Sequence, residues 1–140
     1  MSKSEYKFLR RLLPNYYYHI KENRNTLITR IFGFHKIFYN RKGLKVEKYF
    51  IVLANAFSTD KEIHRRFDLK GSRYKRTTKP AANVTIARKD MDFINENRRI
   101  DIGPQKKATL VEILAKDAQF FAENRINDFS LLVGIHQIGP

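Results

Sequence analysis

HRRFDLKGSRYKR, residues 64–76, is the stretch on which the reading of this chain turns. Six of its thirteen residues are Arg or Lys, with His64 beside them, yet its centre is the ordered-looking Phe67-Asp68-Leu69-Lys70-Gly71-Ser72. A strand over about residues 63–71 places Ile63, Phe67 and Leu69 on one side and His64, Arg66, Asp68 and Lys70 on the other. Residues two apart on a strand face the same way, about 6.6 Å along the chain. Asp68 and Lys70 are therefore expected to project together, with Arg66 behind them. Gly71 lets a ligand approach the backbone. Lysine is a compact positive charge on a flexible stem, suited to a phosphate, and a neighbouring carboxylate can hold it in place. The pattern fits a phosphate-gripping strand. By composition alone an ordinary edge strand with a solvated charged face fits better, since charged faces are common and short patterns recur by chance.

Working outward, the whole chain shares the basic character. Its 140 residues carry 28 Lys plus Arg against 14 Asp plus Glu, a formal net charge of +14. That excess points to an anionic partner: nucleic acid, an acidic membrane or phosphorylated small molecules. An apolar content of 42%, with 11 Phe and 7 Tyr, is enough for a core and argues against disorder. The absence of Cys excludes thiol catalysis, disulfides and Cys-ligated zinc. The start, MSKSEYKFLRR, lacks the apolar centre of a secretory leader, and no apolar run reaches membrane-spanning length. Any bilayer contact is expected to be peripheral.

The elements follow from local chemistry. Ser2-Lys3-Ser4-Glu5 has the form of a capping box, and Phe8, Leu9, Leu12, Leu13, Tyr16 and Ile20 recur at helical spacing. Pro14 is expected to divide that helix into pieces over 3–13 and 14–22. Two β-rich runs, 27–39 and 44–57, flank Asn40-Arg41-Lys42-Gly43 and predict a hairpin, with Val46, Phe50, Val52 and Ala54 on one face, interrupted by Lys48. A loop over 72–90, a short helix over 91–97 and a short strand near 99–102 come next. Gly103-Pro104 then opens a helix running to about Asn124, buried along Leu110, Ile113, Leu114, Phe120 and Phe121. The apolar run 130–138 reads as a buried strand.

Five blocks in register carry a family likeness: LLPNYYYHIKENRNTLITRIFGFHKI at 12–37, YFIVLANAF at 49–57, DLKGS between HRRF and RYKR, KDMDF at 89–93, and INDFSLLVGIH at 126–136. Together they resemble the kinase core of phosphatidylinositol phosphate kinases, nearer the phosphatidylinositol 4-phosphate 5-kinase branch. The resemblance implies an α+β, two-lobed, protein-kinase-like fold, present in part as an antiparallel sheet with packed helices. It makes residues 1–140 a single partial lipid kinase domain. The implied reaction moves the γ-phosphate of ATP to the inositol ring of phosphatidylinositol 4-phosphate, giving the 4,5-bisphosphate.

By that resemblance Lys70 reaches the ATP phosphates and Asp68 supports its strand. Asp128 is the catalytic aspartate, which orients the attacking hydroxyl and takes its proton late. Leu53, Ala54 and Asn55 lie where an interlobe hinge meets adenine, and Glu5 is a candidate partner for an ATP-anchoring lysine. Arg66, Arg73, Lys75 and Arg76 are expected at the lipid substrate and the membrane surface. Between Lys61 and Lys79 there are eight basic and two acidic residues, net +6. Near an anionic surface each basic residue contributes about 1 kcal/mol. The expected place of work is cytoplasmic, peripheral at the inner face of the plasma membrane. Mg2+ is implied as well as ATP, but no metal ligand is assigned within the chain. The magnesium-binding aspartate and lipid-selecting loop are expected past residue 140, and the glycine-rich loop and anchoring lysine ahead of residue 1. The 140 residues alone are accordingly expected to have little kinase activity.

Plainer roles stand beside these. Asp128 also suits a turn, the hinge residues also suit a core, His136 reads as a satisfied core histidine, and Asp117 as structural. The chain departs from the family at Phe129, where a tyrosine is usual. Val133 stands where protein kinases place an asparagine five residues after the catalytic aspartate. Two other functions fit the charge. One is a noncatalytic module derived from this fold that binds phosphoinositides or anionic membranes. The other is a basic nucleic-acid-binding domain, for which no helix-turn-helix, zinc or RNA-sheet motif is present, so nucleic acid is not an expected partner.

Overall fold

Ser2 begins the first helix as its S-x-x-E pattern requires. Its hydroxyl accepts from the Glu5 N–H at 3.2 Å, and its own N–H donates to Glu5 Oε2 at 2.6 Å. In the computed structural model, which describes residues 1–78 and 86–138, this helix, α1, runs unbroken over Lys3–Glu22. Pro14 lies inside it and does not divide it as expected. The lost N–H costs one backbone bond, while the apolar stripe on either side continues in phase and holds both halves to one surface. The chain forms two compact units, Met1–Asn55 with Thr109–Arg125, and Ala56–Ala108 with Ile126–Pro140.

The first unit combines α1 with the predicted hairpin and the later part of α3 (Pro104–Glu123). Strands β1 (Ile31–Arg41) and β2 (Leu44–Leu53) pair antiparallel down to Arg41 opposite Leu44. The two residues between are Lys42 at φ 50° and Gly43 at φ 79°, the doubly left-handed turn that matches strand twist. The apolar set of the run 44–57 is only partly covered, with Val46 and Ala54 half-buried. Tyr49 and Ile51 are half-buried while Phe50 and Val52 are exposed. The cause is aromatic: Tyr6 of α1 stacks on Phe34 at 4.4 Å and meets Tyr49 at 4.5 Å. In α3, Gly103 at φ 77° precedes Pro104 at the helix start, as read from the sequence. Phe120 is buried against the His19 ring at 4.5 Å, whereas Leu110, Ile113, Leu114 and Phe121 are only partly covered.

Asp117, a residue only 4% exposed, knots this unit together. Its Oδ1 accepts from His19 Nε2 at 2.8 Å and from the Thr26 hydroxyl, and Oδ2 accepts from the Leu27 N–H at 2.8 Å. One carboxylate thus joins α1, α3 and the segment leading into β1, which is the structural role expected of it.

The second unit is built on β3 (Arg65–Leu69) and β4 (Leu131–Ile135), antiparallel with Leu69 opposite Leu131 and Arg65 opposite Ile135. On its other side β3 meets Arg88 in a parallel bridge, through Arg88 N–H to Arg66 O at 2.8 Å and Asp68 N–H to Arg88 O at 2.7 Å. Flanked on both sides, the strand buries Phe67 completely, with its ring edge-on to Phe93 of α2 (Asp90–Asn95). Burying a phenylalanine contributes roughly 1.5–3 kcal/mol.

Three expectations fail in this unit. Residues 99–102 form no strand; Ile100 and Ile102 are exposed and pair with no neighbouring strand among the described residues. The run 130–138 yields a strand of only five residues, half-exposed at Leu132, because the sheet has two strands and one face of β4 is open. His136 is exposed rather than core, its Nδ1 bonded to Glu62 O at 2.8 Å and its ring beside His64. Of the expected loop 72–90, residues 79–85 lie outside the described residues.

Candidate functional site

The register of the second unit determines where the site lies. Because β3 and β4 are antiparallel, the end of β3 and the start of β4 share one edge of the sheet. Lys70 follows β3 directly and Asp128 precedes β4 by three residues. The Lys70 ammonium donates to Asp128 Oδ1. Two residues 58 apart in sequence are thereby brought into contact. The contact stands at the surface: the Lys70 side chain is 26% exposed and that of Asp128 82%.

The acid that holds Lys70 is thus Asp128, not Asp68. Strand alternation stops at Leu69, because Gly71 at φ 68° turns the chain away and releases Lys70 from the face it would have shared with Asp68. Asp68 instead lies 3.7 Å from Arg76 through Oδ2, and its shielded Oδ1 has no hydrogen-bond partner among the described residues. Asp128 itself sits at φ 63°, a left-handed conformation that aspartate tolerates better than most side chains. Hydrogen bonding to Lys70, then the lysine's charge, holds the Asp128 carboxyl below the usual range.

Behind this pair lies a buried acid. Asp90, 7% exposed, accepts from the Lys70 N–H at 2.9 Å and the Gly71 N–H at 2.8 Å, both on Oδ1. Its Oδ2 accepts from Arg76 Nε at 2.7 Å. Burial alone would push the Asp90 carboxyl up, but the arginine and the backbone N–H groups together outweigh it and hold the carboxyl low. The Asp90 bond is also the main cause of the raised Arg76 pKa. Two residues on, Asp92 accepts from the Thr78 N–H at 3.0 Å and the Lys89 N–H at 2.9 Å. The Met91 N–H donates to Arg76 O at 2.9 Å. The segment 70–78 is therefore fastened at both ends to the start of α2.

The four basic residues expected at a lipid surface separate into two kinds. Arg73 and Lys75 are exposed, and the Lys75 ammonium lies 5.0 Å over the ring of Tyr74, itself 77% exposed. Arg66 is half-covered, its guanidinium 5.9 Å from the Phe57 ring. Arg76 is turned inward, 12% exposed, with Asp90 and the Asp68 carbonyl as partners. The other predicted residues belong to the first unit. Glu5 is occupied by the helix cap, which keeps its carboxyl low through the Ser2 N–H. Leu53 ends β2 half-exposed, the Ala54 N–H donates to Arg30 O at 2.8 Å, and Asn55 is exposed. The fastening acids Asp90 and Asp92 were not singled out individually from sequence. The available signal was the pair of acids at the first turn of a predicted short helix.

A lysine paired with an exposed carboxylate thus stands at one end of the sheet, on a loop fixed from beneath. Comparison with known proteins gives the family. A model of the phosphatidylinositol-4-phosphate 5-kinase family matches residues 1–140, and the chain belongs to that family. It is 48% identical over 131 residues to a phosphatidylinositol 4-phosphate 5-kinase of Plasmodium falciparum, covering 91% of this chain and 8% of that protein. It is 39% identical over 138 residues to a probable phosphatidylinositol phosphate kinase of Dictyostelium discoideum, covering 96% and 18%. A phosphatidylinositol 5-phosphate 4-kinase type-2 gamma of Rattus norvegicus is 36% identical over 129 residues, covering 90% and 30%. The chain thus spans less than a third of the length of each of these relatives. The α+β architecture with antiparallel sheets agrees with the fold class expected from the sequence.

Proposed function

We propose that this chain is the part of a phosphatidylinositol phosphate kinase that carries its catalytic carboxylate and a phosphate-gripping lysine. The reaction is transfer of the ATP γ-phosphate to phosphatidylinositol 4-phosphate, giving the 4,5-bisphosphate, within a two-lobed kinase-like fold. The observation that carries this reading is the meeting of Lys70 and Asp128 at one edge of the β3–β4 sheet.

Each group fits its task. An ammonium has three donors, so Lys70 can keep one on Asp128 and offer two to phosphate oxygens. Asp128, exposed and held low by Lys70, is a weak base. A weak base cannot strip a ring hydroxyl in the ground state. It can orient the hydroxyl by accepting its hydrogen bond. As the oxygen–phosphorus bond forms and the bond to the departing diphosphate breaks, the hydroxyl becomes acidic and its proton passes to Asp128. Lys70 meanwhile offsets charge on the phosphoryl oxygens.

Magnesium would supply further charge neutralisation on the phosphates. Among the described residues no group of three His, Cys, Asp or Glu converges, and the Asp128 carboxylate is bonded to Lys70. Adenine is assigned to Leu53, Ala54 and Asn55 on the resemblance alone. The Ala54 N–H is already bonded to Arg30, so a contact there falls to carbonyls or side chains.

Exposed Arg73 and Lys75, with Tyr74 between them, are assigned to the anionic inner face of the plasma membrane. Cations meet headgroups there and a tyrosine suits the interface. The test of the reaction is Asp128→Asn in the full-length kinase containing these residues. Turnover is expected to fall by at least about 100-fold, the usual scale for a positioned acid or base, with vesicle binding unchanged. Retained turnover would remove Asp128 from its role.

A further inference from the structure

We propose that Asp90, in the KDMDF block to which no role was assigned, is the residue that positions Lys70 against Asp128, acting from beneath as a buried internal anion. The proposal rests on the kinase reading for its catalytic consequence, but its structural content stands apart from it.

Three observations support it. First, the Lys70 N–H and Gly71 N–H converge on the same oxygen, Asp90 Oδ1, at 2.9 and 2.8 Å. Two successive N–H groups at a turn with positive φ form a concavity that favours a negative charge, and here the chain provides the charge itself. Second, the opposite oxygen is held by Arg76 Nε at 2.7 Å, and Arg76 also donates to the Asp68 carbonyl. The loop that leaves β3 is therefore tied back to β3 through Asp90 and Arg76. Third, Asp90 is 7% exposed and Arg76 12%, so water does not compete for these bonds. Lys70 has a long, flexible side chain, and outside the strand only its backbone can fix where that side chain starts. Asp90 supplies that restraint. The bonds of Asp90 run to the Lys70 and Gly71 N–H groups and to Arg76, so it acts through Lys70 as a positioning residue rather than a catalytic one.

Substitution by asparagine tests this with almost no change of volume. A carboxylate offers an acceptor at each end; an amide offers only one. Facing the N–H pair with its oxygen, asparagine presents N–H to Arg76; flipped, it presents N–H to Lys70 and Gly71. Either way a buried donor loses its partner, and the loop is released at one end.

The readout is Asp128, whose carboxyl is held low by Lys70. In Asp90→Asn, and more fully in Asp90→Ala, the Asp128 titration followed by carboxyl 13C shift in the intact chain is expected to move up toward the ordinary carboxylate value. In the full-length kinase the KM for ATP is expected to rise about tenfold, with the KM for lipid moving far less. In the unsubstituted chain the Lys70 and Gly71 amides, though outside the strand, are expected to exchange hydrogen slowly. A folded Asp90→Asn whose Asp128 midpoint stays low, or rapid exchange of both amides in the unsubstituted chain, overturns the proposal. A raised Asp128 midpoint with unchanged ATP kinetics sustains the positioning role and counts against the assignment of Lys70 to ATP.

Discussion

Replacing Asp117 by asparagine is expected to cost the first unit about 3 kcal/mol, and the figure can be worked from the bonds. Asp117 Oδ1 takes His19 Nε2 and the Thr26 hydroxyl, while Oδ2 takes the Leu27 N–H. The Thr26 oxygen already accepts the Ile28 N–H at 3.1 Å, so its proton points at Asp117. An asparagine oriented to serve His19 and Thr26 turns its own NH2 toward the Leu27 N–H, stranding a part-buried donor. That alone costs about 1–3 kcal/mol. The two surviving bonds lose their charged acceptor, which removes roughly half the strength of each. Flipping the amide satisfies Leu27 and strands Thr26 and His19, which is worse. Urea unfolding measures the change: the midpoint should fall with the m-value unaltered, since the unfolded surface is the same. Asp117→Ala, which strands all three donors, should lose more still. A change below about 0.5 kcal/mol for asparagine, the scale of an ordinary surface substitution, would refute the claim that this carboxylate joins α1 to α3.

Two further predictions concern the second unit. Acid should loosen it through Asp90, Asp92 and Glu96, whose carboxyls are all held below their ordinary values of 3.8, 3.8 and 4.5, arginine and N–H partners outweighing burial. A depressed native pKa gives stability that is present above the ordinary value and is lost as pH falls through the native one. Near-ultraviolet dichroism should therefore stay constant down to about pH 5 and decline below pH 4; loss centred above pH 6 would contradict the assignment. Gly134→Ala should destabilise by about 1–3 kcal/mol, because an added Cβ would lie 2.8 Å from Phe57 Cε1 and 3.2 Å from Ile63 Cγ2. Thermal unfolding of the variant checks it, and an unchanged midpoint would mean that the Phe57 ring yields freely.

Where the chain carries its own local instruction, sequence was a sufficient guide. Ser2 with Glu5, Lys42-Gly43 and Gly103-Pro104 each specify an element end by chemistry within four residues. Faces were harder to read. Val46, Phe50, Val52 and Ala54 alternate along the run 44–57 apart from Lys48, yet Phe50 and Val52 stay exposed while Tyr6, more than forty residues earlier, covers Tyr49. Pro14 was read as a break because its local cost is visible in sequence and the surface restoring the helix is not. At the site, Lys70 stands out from its own strand and glycine, whereas Asp128 and its pairing with Lys70 are legible only through family blocks, since no periodicity links residues 58 apart. Asp90 is not legible in sequence because its partners are mainly backbone N–H groups, which every residue but proline owns and no side-chain pattern records.

The left-handed backbone at Asp128 narrows what evolution can place there. Conformation admits glycine, asparagine and aspartate readily and penalises longer side chains. Chemistry, on the proposed mechanism, requires a carboxylate. Aspartate alone passes both filters. Glutamate, the gentlest replacement by charge, becomes one of the harsher ones at this position, and inactive descendants of such a chain should accumulate asparagine or glycine there first.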